Sequence, residues 1–504
     1  MSDVVVGLDL GTSGLKAVAV DAREGLIAVA AHTYPTLREA AGQAEQDPAD
    51  WTAAVATAVR ELAAAAPPDR WRAIGLSAMI PTLVTLDREG HANGPAVTWE
   101  DARAEQDGVR LRDALGPTRA YEATGQWIDG RYLLPMFARL CRDEPGRASP
   151  TARLAGAKDH LFAWLTGDLV TDPSTAAGFG CLDLAAGRWW EPAVAMAGVA
   201  LPGRSAPGRP ELPRIEPSSF VAPLSSQRAG ELDLPEGLPV CLGAADSVAG
   251  AVGLGCERPG SVAYVAGTST VILGLAARPV ADPQRRYLVT PMHHDGAWGL
   301  EMDLLATGAS ARWLAELMGL PDEAALHELA AKSVPGADGL TFLPYLGVGE
   351  QGALWDPDLR GAIAGMTLAH RRQDVARALL DGIALETRRC LAVLDDAGAA
   401  TGEIHAGGPA AASAAFRQVL ADATGRAVLW TSPAADSPSA IGAARLAADA
   451  IGLQLSGPPG DGAERTEPAP NSDRLWLDLW ERHERTRSAL GARREPGEAG
   501  RQAT

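Results

Sequence analysis

A strand, a Gly-Thr-Ser turn and a second strand occur twice in this chain, about half its length apart. Val4–Leu10 is apolar apart from one acid, Gly11-Thr12-Ser13-Gly14 follows, and residues 15–20 are mostly apolar again. A glycine-bearing turn between two such runs predicts a β-hairpin. The pattern returns in residues 261–266, Gly267-Thr268-Ser269, and 270–273. One such turn says little, because these residues make ordinary turns. Two copies, each between strands, predict two related domains. A length of 504 residues also exceeds a single core of usual size.

Residues 73–77 and 83–87 read as further strands. Trp51, Val55, Val59 and Leu62 share one helical face behind Asp50, the expected N-cap. Strands interleaved with amphipathic helices predict an α/β architecture. Eight prolines follow (Pro202, Pro207, Pro210, Pro213, Pro217, Pro223, Pro235 and Pro239). Proline removes a backbone donor, so an irregular covering segment is expected there, before a strand at 240–242. Residues 456–473 read as a flexible linker and 476–490 as a helix. The expected domains are 1–254 and 258–490, with a disordered tail at 491–504.

Charge and composition exclude some classes. Sixty-three acids against forty-five bases give a formal charge of −18, with no Lys/Arg run, so no nucleic-acid partner is expected. No apolar stretch is long enough to span a bilayer, and the first residues have no basic n-region, so neither a membrane location nor export is expected. The cysteines Cys141, Cys181, Cys241, Cys256 and Cys390 are scattered and odd in number. They predict small buried hydrophobes in a reducing, cytoplasmic setting rather than disulfides or a zinc site.

The chemistry gathers at strand ends. A Gly-Thr-Ser turn offers unobstructed backbone N–H groups and hydroxyls, a cradle for phosphate oxygens. Asp9 stands just before the first cradle. Its carboxylate would repel phosphate unless a cation lay between them, which points to magnesium with retained waters. Lys16 adds positive charge nearby, with an exposed strand residue as the plain alternative. Asp246, between small residues after the strand at 240–242, is either an exposed carboxylate or the N-cap of the next helix. Two cradles and one further carboxylate make the minimum set for phosphoryl transfer. Other patterns fall short. Residues 347–352 match G-x-G-x-x-G, but Pro357 follows and no helix begins there. There is no Walker A sequence. His293-His294-Asp295 reads as a loop, and His327-Glu328 lacks a zincin's second histidine.

Gly7-Leu8-Asp9-Leu10-Gly11-Thr12-Ser13-Gly14-Leu15-Lys16 resembles the opening of the FGGY family of carbohydrate kinases. The resemblance continues through Ile74-Gly75-Leu76-Ser77, Thr98-Trp99-Glu100-Asp101-Ala102-Arg103, Lys158-Asp159, Thr171-Asp172-Pro173-Ser174, the Asp246 block, Gly267-Thr268-Ser269, Leu343-Pro344-Tyr345-Leu346, Trp355-Asp356-Pro357 and the segment from Gly361 to Ile383. It implies an α/β fold of two actin-like, ribonuclease-H-like ATPase domains facing a central cleft, with ATP and Mg2+ as cofactors. It also implies that Asp246 is the general base and Asp9 holds magnesium through water. Gly11, Thr12, Ser13, Lys16, Gly267, Thr268 and Ser269 would then hold phosphates, and Gly308, Gly407 and Gly408 would border the nucleotide. Ile80, Pro81, Trp99, Asp101, Asp246 and Ser247 would face the substrate. That substrate is a small sugar or polyol, D-xylulose being the first expectation and gluconate, glycerol, erythritol or ribulose the alternatives. A homodimer is an open alternative to a monomer. Two departures lie on the substrate side. Met79-Ile80-Pro81-Thr82 stands where the xylulose branch has Gln-Met-His-Gly, and Ser247 stands where it has Asn. From other classes, a non-catalytic sugar- and nucleotide-binding protein and an ATPase acting on a protein partner are the competing readings.

Overall fold

Val4–Leu10 forms β1 and Gly14–Asp21 forms β2, antiparallel to it, which closes the first hairpin where the sequence places it. The run is apolar rather than alternating because both faces of β1 are covered: Val4, Val5, Val6, Leu8 and Leu10 are all fully buried. The computed structural model describes residues 2–204, 208–294, 296–347, 352–356, 358–431, 437–456 and 463–491. Pro207, Asp295, Pro357, residues 348–351 of the G-x-G-x-x-G match, residues 457–462 of the expected linker and the tail at 492–504 lie outside the described residues.

The chain forms two compact units. The first comprises residues 1–257, 276–299 and 437–461, and the second 258–275, 300–436 and 462–504. The expected division near 254–258 therefore marks the end of the first unit's longest stretch, but two later stretches return to that unit.

The sheet of the first unit adds Gly25–Thr33 (β3), Trp71–Ala78 (β4), Val221–Pro223 (β5) and Pro239–Ala245 (β6), in the order β5-β6-β4-β1-β2-β3. β6, β4 and β1 run parallel, and β2, β3 and β5 run antiparallel to their neighbours. The helix Pro48–Ala65 buries Trp51, Val55, Val59 and Leu62 as expected. Its N-cap is Asp47, not Asp50, because Pro48 occupies the first helical position, where its missing N–H costs nothing. A second helix, Pro438–Ala450, lies against β1, β4 and the helix Asp246–Gly253. The proline-rich stretch is more ordered than its composition suggests. It contains the edge strand β5, where Pro223 needs no donor on its open side, and the helix Ser226–Leu232.

The second unit repeats the plan. Its sheet contains Val262–Ala266 (β7), Thr270–Ala276 (β8), Trp298–Leu304 (β9), Ile404–Gly407 (β10), Val428–Trp430 (β11) and Glu464–Thr466 (β12). Six strands of this seven-stranded sheet run in the order β9-β8-β7-β10-β11-β12. β7, β10 and β11 are parallel, β8 pairs antiparallel with β7, and β12 antiparallel with β11. Position for position this matches β3-β2-β1-β4-β6-β5, which is the structural content of the repeated Gly-Thr-Ser hairpin. The expected C-terminal helix spans Asp473–Gly491. Its His483 is fully buried, 2.7 Å from the Glu386 carboxylate, which also accepts the Tyr345 hydroxyl at 2.6 Å. Four of the five cysteines are buried thiols, whereas Cys141 is exposed. Among the described residues no helix is long and apolar enough to cross a membrane.

His327, on the helix Glu323–Ala330, stacks on Phe416 with ring planes 16° apart and is buried. Burial pushes its pKa down from 6.5 to about 4, and the Glu323 carboxylate offsets part of this. As pH falls from 6.5 towards 4, the unfolded chain takes up a proton that the folded chain refuses, so stability falls in that window. At pH 5 the loss is about 2 kcal/mol, from ~1.5 units at 1.36 kcal/mol each. His327→Phe is therefore expected to gain about 2 kcal/mol on wild type between pH 7.5 and pH 5 in denaturant unfolding. An offset equal at both pH values would contradict the assignment.

Candidate active site

In the first unit the functional side chains stand at the carboxyl ends of adjacent parallel strands, where open α/β sheets bind ligands. Asp9 is the penultimate residue of β1. In register it faces Ser77 on the parallel strand β4 and Lys16 on the antiparallel strand β2. The Ser77 hydroxyl donates to Asp9 Oδ1 at 2.8 Å. Burial raises the Asp9 pKa above the ordinary carboxylate range, while the Ser77 hydrogen bond and the Lys16 charge pull it down. The turn after β1 is closed by Gly11 N–H donating to the Gly14 carbonyl at 3.1 Å. Tyr34 Oη donates to the Gly11 carbonyl. Gln46 Nε2 donates to the Thr12 carbonyl at 2.7 Å, and Trp51 Nε1 donates to Gln46 Oε1 at 2.9 Å. The Trp99 indole N–H donates to Thr12 Oγ1 at 2.9 Å. The turn is thus held on its carbonyl side, while Ser13 stays exposed.

Asp246 follows the last residue of β6. Gly243 sits in the left-handed region at φ 67, and the pairing of β6 with β4 shifts register between Cys241 and Ala244. A side chain could not adopt this bulge, since a Cβ at Gly243 would lie 1.8 Å from the Leu76 carbonyl oxygen. Asp246 is half-buried and opens the helix Asp246–Gly253 as its first helical residue. Ala245, not Asp246, is at the N-cap. Asp246 Oδ1 accepts the Ser247 N–H at 2.9 Å, and the Ser439 hydroxyl donates to the Asp246 carbonyl at 3.0 Å.

The second unit assembles its own set. The turn after β7 is closed by Gly267 N–H donating to the Ser269 carbonyl at 2.8 Å. Gly308, near the start of the helix Thr307–Leu317, packs on that turn: Ala309 N–H donates to the Thr268 carbonyl at 3.0 Å, and a Cβ at Gly308 would lie 2.1 Å from the Gly267 oxygen. Gly407 ends β10. Gly408 follows at φ 88, its Cα beside Ala266, where a Cβ would meet the Ala266 oxygen at 2.4 Å. Gly267, Thr268, Gly308 and Gly408 therefore meet at the carboxyl ends of β7 and β10.

The remaining residues expected to face a substrate divide. Ile80 and Pro81 are half-buried and joined by a cis peptide bond, with Ile80 against Gly178. Asp101 is 1% exposed, and its carboxylate accepts the Arg103 guanidinium and the Ala44 N–H at 2.9 Å. Sequence reasoning assigned no role to Ser77, although a polar residue ending the apolar run 73–77 was its signal. Gln46 carried no signal at all. Among the described residues no group of three His, Cys, Asp or Glu forms a metal cluster, and His293 and His294 lie in a loop.

Two sheets of one order, each with a Gly-Thr-Ser turn at the end of its leading strand, define an actin-like ATPase fold. The solved xylulose kinase of Rhodospirillum rubrum superposes with a TM-score of 0.84 at 30% identity, covering 97% of this chain and 99% of that one. Residues 4–253 match the N-terminal domain of the FGGY family of carbohydrate kinases and residues 262–451 match its C-terminal domain. The chain belongs to this family, and so is a phosphotransferase with an alcohol group as acceptor. The gluconokinase of Bacillus subtilis is 26% identical over 84% of this chain and 83% of its own length. The glycerol kinase of Alkalilimnicola ehrlichii is 31% identical over 91% and 92%. Relatives with three different substrates thus stand at similar distance.

Proposed function

We propose that this enzyme transfers the γ-phosphate of ATP, with Mg2+, to a hydroxyl of a small sugar, polyol or sugar acid. The observation that carries the reading is the placement of Asp9 and Asp246 at the ends of parallel strands of one sheet, with the exposed Ser13 in the turn that follows Asp9's strand. Asp246 accepts the proton of the attacking hydroxyl. Gly11, Thr12, Ser13 and Lys16 in the first unit, and Gly267, Thr268 and Ser269 in the second, hold phosphate oxygens. Gly308, Gly407 and Gly408 keep the backbone free of Cβ atoms where the nucleotide lies. Asp9 suits magnesium, being a hard oxygen donor whose charge is unfavourable where it stands unless a cation meets it. The ion, bound through water, would neutralise charge on the transferring phosphoryl group.

D-Xylulose is the first candidate substrate, with gluconate and glycerol next. The side chains of Ile80 and Pro81 are hydrocarbon and Pro81 has no N–H to donate, which favours a substrate needing little polar contact there. The test is ADP release with a panel of ketoses, polyols and aldonates. One member is expected to stimulate release well above the rate without sugar. Binding of nucleotide with no stimulation by any member would favour the non-catalytic reading.

A further inference from the structure

Beside the strand that leads into Asp246, a lysine is buried with two carboxylates. Lys158 is 1% exposed, and Asp159 and Asp172 are fully buried. Lys158 Nζ lies 3.0 Å from Asp172 Oδ1 and 3.8 Å from Asp159 Oδ1. Burying such charges is costly unless they are paired and hydrogen-bonded, and packed apolar residues often serve stability as well. Burial would raise the Asp172 pKa, but the Lys158 ammonium and the Ser174 hydroxyl outweigh it and hold Asp172 below the usual range.

The second oxygen of Asp172 leads towards Asp246. It accepts the Ser174 hydroxyl, the Ser174 N–H at 2.9 Å and the Ser218 hydroxyl at 3.3 Å. A serine hydroxyl has one proton. With that proton on Asp172, Ser174 Oγ presents lone pairs elsewhere, and it accepts the backbone N–H of Ala245 at 2.9 Å. Ala245 is the last residue of β6 and immediately precedes Asp246. The β6–β4 ladder is irregular just upstream, between Cys241 and Ala244, and this side-chain anchor holds the strand where the register has resumed.

We propose that Lys158, Asp172 and Ser174 form a positioning relay for Asp246. The Lys158–Asp172 pair fixes the direction of the Ser174 hydroxyl, and the hydroxyl fixes the peptide that leads into Asp246. The inference rests on the reading of Asp246 as general base. None of the three touches a reacting atom. They act through placement, and small misplacements of a catalytic group are expensive.

The test compares Ser174→Ala, Ser174→Cys, Asp246→Ala and the Ser174→Ala/Asp246→Ala double variant for kcat and sugar KM, with thermal midpoints measured alongside. Ser174→Ala is expected to lower kcat about 10-fold with a smaller change in KM, as for a mispositioned group. Ser174→Cys, a weaker donor in the same place, should fall between it and wild type. In the Asp246→Ala background the same replacement should change nothing further, because no carboxylate remains to be positioned. A wild-type kcat in Ser174→Ala, or an equal fractional loss in both backgrounds, overturns the relay. Should Ser174→Ala not fold, Ser174→Cys carries the same comparison: a loss confined to the Asp246-containing protein supports the relay, and no loss or a loss in both overturns it. A wild-type rate in Asp246→Ala itself overturns the general-base reading and the relay with it, an outcome distinct from failure of the relay alone.

Discussion

Replacing Asp246 with alanine is expected to lower kcat by ~10²–10⁴-fold, the usual contribution of a positioned general base. The fold should survive. Asp246 is half-buried at the first turn of a helix, where an acid contributes roughly 0.3–1 kcal/mol through the helix dipole. Its neighbours are held by backbone and by other side chains: Ala245 by Ser174 and the Asp246 carbonyl by Ser439. The loss should therefore appear in kcat at saturating sugar, with the thermal midpoint nearly unchanged. Equal rates in variant and wild type would show that the hydroxyl proton leaves by another route.

Gly7→Ala is expected to damage the first unit severely. The helix Pro438–Ala450 comes so close to β1 and β4 that a Cβ at Gly7 would lie 1.9 Å from the Ala440 carbonyl oxygen and 2.8 Å from the Ala444 nitrogen. At Gly75 a Cβ would lie 1.9 Å from the Ala443 oxygen. These atoms are backbone in a helix, so relief requires the helix to lift. Overpacking of a core typically costs 1–3 kcal/mol, and with backbone on both sides the loss should be about 3 kcal/mol or more. For a unit of this size that is on the order of 5 °C in thermal midpoint. Activity should fall too, because Ser439 on the same helix anchors Asp246. Gly146→Ala is the control. It is exposed, with no atom within 4 Å of the added Cβ, and should be neutral or slightly stabilising. A Gly7→Ala midpoint equal to that of the control would contradict the packing argument.

What the sequence made legible was local. The Gly11–Gly14 and Gly267–Ser269 turns, the apolar strands around them and the Trp51–Leu62 helix face all follow from neighbouring residues, and the structure contains each of them. Asp9 could be singled out as an acid inside an apolar strand, and Asp246 as an acid just after one, with an N-cap as its structural alternative. What stayed hidden depends on contacts distant in sequence. Ser77 meets Asp9 only through the register of β4 on β1. The return of Pro438–Ala450 to the first unit depends on Gly7, Gly75 and Gly253 leaving room for a helix distant in sequence. Asp101 reads as a substrate ligand until Arg103 and the Ala44 N–H are seen to occupy its oxygens. The proline-rich stretch concealed β5 because an edge strand tolerates the missing donor of Pro223. The substrate stays the least legible part, since Ile80-Pro81, expected on the substrate side, offers no polar side chain to name it.

The central claim is transfer of phosphate to a small alcohol rather than to water. It is tested most directly by following the label from γ-labelled ATP with the best substrate of the panel. The account predicts label in a sugar or polyol phosphate, formed one-for-one with ADP and lost in Asp246→Ala. Label released as inorganic phosphate, at a rate indifferent to sugar and stimulated by a polypeptide, would contradict it.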